Sequence, residues 1–165
     1  MNLDMPMQFC AWLEATPFAV AIAESDWMFP TIETVHVLAL VLVIGSIAML
    51  DLRLFGVSRR DMGVMQLATE TLPWTWASFV VAVITGALMF ASSATKYYGN
   101  MPFRFKMLLL ALAGINMAAF HLTAYRRVHD WNHQMPPPRG VRLSAACSLG
   151  LWIGVVFLGR WIGFV

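Results

Sequence analysis

The 165-residue chain is 59% hydrophobic and 12% charged, with a formal net charge of +2. A soluble domain carries about 25% charged residues, so this composition excludes an ordinary soluble domain and points to a membrane protein. The small net charge gives no footing for a nucleic-acid partner, and two cysteines without a C-x-x-C-H motif give none for covalently attached haem.

In chain order, the N-terminus lacks the basic n-region of a signal peptide, which predicts mature protein from Met1 onward. Residues 5–28, MPMQFCAWLEATPFAVAIAESDWM, form an apolar run that Glu14 and Pro17 interrupt and Glu24 and Asp26 close. A carboxylate and a proline are both costly in mid-bilayer. This stretch is therefore expected to be an amphipathic helix lying in the interface, anchored by Phe9, Trp12 and Phe18. Four spans follow, over about residues 31–52, 73–97, 103–125 and 141–165. Each is at least about 20 residues, the length a bilayer core requires. The links between them are short, so consecutive spans should be antiparallel neighbours. The expected fold is all-α, a single integral membrane four-helix bundle over residues 1–165 with no internal repeat.

No Lys or Arg precedes Arg53. Arg53, Arg59, Arg60, Arg126, Arg127, Arg139 and Arg142 flank the first and third links, seven of the 11 basic residues. The other four are Lys96, Arg104, Lys106 and Arg160. Positive charge accumulates on the cytoplasmic side, so both termini are expected outside it.

Ionisable residues inside spans are functional candidates. His36 lies about 7 Å below the outer end of the first span at the helical rise. Lys106, at the start of the third span, falls near the same level, and His121 about 22 Å deeper. A haem held by two histidines needs both at one depth. His36 and His121 differ by about 15 Å, so they are not expected to share one iron. Lys106, Met89 and Met107 are the candidate partners of His36 at the outer level, and Arg160 lies where it could meet an anionic group. Neutral imidazole suits iron or copper. The alternative for His36 is a core histidine bonded to a neighbouring helix. Glu33, three residues before it, is either an acceptor for the other imidazole N–H or an interfacial charge. Lys106 reads equally as a residue reaching for the headgroups. His121 is a ligand at a second site or an interfacial residue, and Asn116 in mid-span is expected to hold helices together.

Asp51 and Arg53 are expected to pair and anchor the end of the first span. Gly150-x-x-x-Gly154 and Gly159-x-x-x-Gly163 in the fourth allow close approach of another helix, of a flat cofactor or of a second copy. Thr85-Gly86 is a similar small-residue contact in the second span. His129 and His133 have i,i+4 spacing and could hold a metal on a helix, but the PPP at 136–138 ends any helix there. Trp74, Trp76 and Tyr97 mark the ends of the second span as an aromatic belt. Cys10 and Cys147 lie at opposite ends and cannot pair, and Cys147 is expected to pack inside.

Two stretches, ETVHVLALVLVIGSIAMLDLRLFG and FRFKMLLLALAGINMAAFH, together with WLEATPFAVAIAESDWMFP, resemble a family of uncharacterised small bacterial four-helix membrane proteins. The His helix and Lys helix are more distantly similar to the HemJ-type membrane protoporphyrinogen oxidase and to the CopD-type copper-resistance membrane domain. The HemJ likeness implies a haem b bound through His36 and a functional Lys106, and the CopD likeness implies copper instead. The chain departs from the HemJ pattern in its acidic N-terminal helix and in continuing LFGVSRR after the first span. The expected function is a b-type haem protein of the bacterial inner membrane, an electron carrier or oxidoreductase. Lys106 and Arg160 would hold propionates, a quinone or a porphyrin. The rival readings are a copper-binding or copper-transporting protein and a non-catalytic subunit of a larger redox complex.

Overall fold

The apolar runs and their punctuation account for the helices. The structure, a computed structural model, describes residues 5–58, 61–133 and 137–164, and these contain helices and turns but no strand. Four helices are long and apolar enough to cross a membrane: α3 (Met28–Phe55), α4 (Val64–Ser92), α6 (Met101–Leu122) and α8 (Arg139–Trp161). Before them come α1 (Met5–Glu14) and α2 (Pro17–Glu24), and short helices α5 (Ala94–Gly99) and α7 (Val128–Trp131) sit in the links. The protein is an all-α membrane bundle.

A single N-terminal helix over 5–28 does not form. Thr16 is extended, its hydroxyl accepts from the Ala19 N–H at 3.4 Å, and Pro17 follows in the first turn, where a missing N–H costs nothing. These residues start a second helix instead of continuing the first. The pair packs on α4 and α5 and, through α2, on α3. Cys10, Ala19 and Ile22 are buried there. Glu14, which interrupts the apolar run, accepts from both the hydroxyl (2.6 Å) and the N–H (3.2 Å) of Thr95.

Local chemistry also sets the span boundaries. Gly56, at φ 92°, stops α3, and the Val57 N–H closes back on the Leu52 carbonyl at 3.0 Å. Asn100 starts α6 by accepting from the Phe103 N–H at 3.0 Å, with Pro102 in the first turn. α4 begins at Val64 and contains Pro73, which the sequence reading placed at its start. Val64, Leu67 and Ala68 are buried on one face of this added stretch.

The spans form two antiparallel pairs, α3 with α4 and α6 with α8, joined along α3 and α8. The link from α4 to α6, residues 93–100, is as short as the one before α4, yet these two helices do not pack along their length. Rings bridge them at one end: Phe103 lies 5.5 Å from both Phe90 and Tyr97 between centroids. This end is called the His36 end and the opposite one the Arg53 end.

At the Arg53 end, Leu54, Val64, Phe120, Trp131 and Val141 share one buried cluster. Arg53 is fully buried at 0% exposure. Its Nε donates to the Met62 carbonyl at 2.9 Å and its guanidinium also donates to the Asn132 carbonyl at 3.2 Å. Asn132 in turn accepts from the Val64 and Met65 N–H groups at 3.2 and 2.8 Å, capping α4 from the third link. The expected Asp51–Arg53 pair is absent because residues two apart on a helix point apart. Asp51 instead lies toward Ser148 of α8, and its Oδ2 is buried without a hydrogen-bond partner among the described residues. Arg59, Arg60 and Pro136 lie outside the described residues.

Candidate functional site

His36 projects from α3 toward α4, where Thr85 meets it. The Thr85 hydroxyl oxygen stands 2.7 Å from the Val81 carbonyl and 3.2 Å from that of Ala82. Both are acceptors only, so the hydroxyl proton is committed to them. His36 Nδ1, 2.9 Å from Thr85 Oγ1, must then be the donor. In the neutral ring this assigns the proton to Nδ1 and leaves Nε2 unprotonated, and the Ala82 carbonyl is a further hydrogen-bond partner of the ring. Gly86 makes room for the ring: a Cβ there would stand 3.1 Å from His36 Cε1.

Lys106 reaches the same end from α6. It lies along α8 at Gly159, where an added Cβ would stand 3.4 Å from Nζ. Lys106 and Glu33 are both close enough to act on His36 electrostatically. Glu33 is exposed and does not take the imidazole N–H, which goes to Thr85 of the neighbouring helix. Glu33 also faces Tyr97 on α5, whose hydroxyl is pushed above its usual range by burial and then by that carboxylate. Tyr97 therefore stays a neutral hydrogen-bonding group well into alkaline pH. The His36 end thus gathers an imidazole, an ammonium, a carboxylate and the Tyr97 phenol, whose ring and that of Phe103 lie against Phe90.

The other candidates do not join them. His121 sits at the Arg53 end, its Nδ1 2.9 Å from the Met117 carbonyl and its ring against Phe120 and Tyr125. Asn116 is engaged at both ends by Ser144 of α8: its amide donates to the Ser144 carbonyl at 3.0 Å and its oxygen accepts from the hydroxyl at 3.1 Å. It fastens α6 to α8. Arg160 is exposed with its guanidinium 5.2 Å from the Phe164 ring centre. One residue step turns a helix by about 100°, so Arg160 faces away from Lys106, which lies against Gly159. It ends an apolar groove between α3 and α8 lined by Ile44 and Ile47. Met107 is exposed. Cys147 is exposed rather than packed inside, and Cys10 is the buried one. His129 and His133 are exposed and not on one helix, because α7 ends at Trp131.

Gly154, within one GxxxG motif, packs on Leu109 of α6, where a Cβ would stand 2.7 Å from Leu109 Cδ1. Gly159 of the other motif meets Lys106. Both glycines that are packed serve α6 of the same chain, while Gly150 and Gly163 meet nothing within 4 Å.

Among the described residues no three His, Cys, Asp or Glu side chains gather as a metal-holding group. A single imidazole suits a metal whose other ligands come with it, as in haem, better than a metal held only by protein donors. Thr85 and Tyr97 were not recognised as site residues from the sequence. A threonine hydroxyl on the second span at matching depth was the available signal for the first.

Fold and site together define a small multi-pass α-helical membrane protein with a polar cluster at one end of its bundle. The chain belongs to a family of unknown function, DUF6644, whose model matches residues 9–165. No curated protein and no solved structure matches it.

Proposed function

We propose that this protein binds haem b at the His36 end and passes electrons within the membrane. The observation carrying this reading is the His36–Thr85 bond, which with Nδ1 as donor leaves Nε2 unprotonated, able to serve as an axial donor near the Lys106 ammonium. When bound, haem supplies a one-electron iron couple whose potential axial ligation and burial tune. His36 would hold the iron, and Thr85 would fix the ring's orientation. Lys106 would meet a propionate or another anion, such as an acidic porphyrin or a quinone oxygen. Phe90 and Phe103 would exclude water. His36 alone is used, and His121 is read as a helix-end residue whose Nδ1 a backbone carbonyl satisfies. The charge distribution supports a bacterial inner membrane orientation with the Arg53 end in the cytoplasm and both termini in the periplasm.

The test is the visible spectrum of the purified full chain with its haem-to-protein ratio. A Soret band that shifts on dithionite reduction, and that His36→Ala abolishes, is expected. A haem signal indifferent to His36→Ala overturns the ligand assignment. A colourless preparation that retains copper replaces the reading with copper binding, and one that holds neither removes the redox role.

A further inference from the structure

The Arg53 end carries a groove the site above does not use. It opens between the end of α6, the turn that follows, and the start of α8. Its walls are mostly apolar, with Leu122 of α6 at 60% and Leu143 of α8 at 67% exposure, and Thr123 and the paired Asn116 and Ser144 add polar groups. Its mouth carries Arg126 and Arg127, both exposed. Asp130 lies on the same rim, so these three groups sum to +1. Among the described residues no carboxylate comes within ion-pair distance of either guanidinium. Along α8 the lining runs from Gly140 to Cys147, about 10 Å at the helical rise. One leaflet's hydrocarbon is about 15 Å deep, half the core thickness. The groove is therefore apolar over much of one leaflet and cationic where headgroups begin.

We propose that this groove seats one anionic glycerophospholipid, with its phosphate on Arg126 and Arg127 and one acyl chain between Leu122 and Leu143. Charge decides the occupant. A zwitterionic lipid fills the apolar part equally well but gains little from two guanidiniums, whereas an anionic headgroup pairs with both. The full chain would be placed in nanodiscs of mixed phosphatidylglycerol and phosphatidylcholine, extracted gently, and weighed by native mass spectrometry. One phosphatidylglycerol per chain should be retained in preference to phosphatidylcholine. The double variant Arg126→Ala/Arg127→Ala should weaken that retention roughly 25-fold, at about 5-fold per basic residue, and leave phosphatidylcholine unchanged. Leu143→Trp, which fills the groove but keeps both arginines, should also displace the lipid. Helical circular dichroism checks that each variant folds. Equal retention of the two lipids, or no effect of the double variant, overturns the charge assignment. Retention that survives Leu143→Trp places the lipid on the arginines alone and overturns the groove.

Discussion

A histidine on a membrane helix has two ring nitrogens, and the one that is free depends on what holds the other. In this protein the holder is a hydroxyl already bound to its own helix, which makes Thr85 a positioning residue for His36. Thr85→Val keeps the shape and removes the hydroxyl acceptor, leaving only the Ala82 carbonyl. In nitrogen-15 spectra of labelled protein, His36 should show the Nδ1–H tautomer, and Thr85→Val should blur that preference. In haem-loaded protein the same variant should lower haem affinity about 10-fold, a typical cost of losing a partner behind a metal ligand. A ring that keeps its tautomer in the variant would show that Thr85 is not its anchor.

At the scale of elements, Arg53 illustrates how a buried cation can organise an end of a bundle. It ends up inside because two links bring backbone carbonyls to it, from Met62 and Asn132. Asn132 then caps α4, so the third link, the first link and two spans meet at one point. Arg53→Leu removes the charge and with it the hydrogen bonds to the Met62 and Asn132 carbonyls, the second of which keeps the Val64 N–H, at about 1.5–3 kcal/mol for a hydrogen bond to a charged group. A net loss of about 2 kcal/mol is expected in detergent unfolding. Arg53→Lys should not restore it, because an ammonium on a flexible stem cannot reproduce the planar fork. Stability unchanged in Arg53→Leu would mean the links are held by packing alone. Pro73 did not mark the start of α4 because the residues before it have their own buried face.

Considering the whole molecule, the N-terminal pair is part of the bundle and not an appendage. The Glu14 carboxylate ties α1 to α5, and Cys10 is buried in the same contact at 4% exposure. Cys10 should therefore resist a maleimide in the folded protein, while exposed Cys147 reacts with a lipophilic one. In a Cys147→Ser background, Glu14→Ala should raise Cys10 labelling severalfold. No change would show that packing of Ala19 and Ile22 suffices to hold the pair. The α1–α5 contact lies at the His36 end, beside the ring bridge between α4 and α6, so loosening it should also disturb Tyr97.

Much of this was legible in the sequence. Apolar length and short links were enough for four spans and an all-α membrane bundle, because a bilayer imposes a fixed thickness on every helix that crosses it. The helical rise was enough to set His121 far from His36. Tertiary structure alone decided which side chains meet. Glu33 and Thr85 were both within reach of His36 by depth, but helix rotation brought Thr85 to the ring. Arg160 and Lys106 share a level yet face different sides of α8. Spacing along a chain specifies height and, within one helix, angle. How neighbouring helices turn toward each other depends on packing among all of them, and that turn selects the partner of His36.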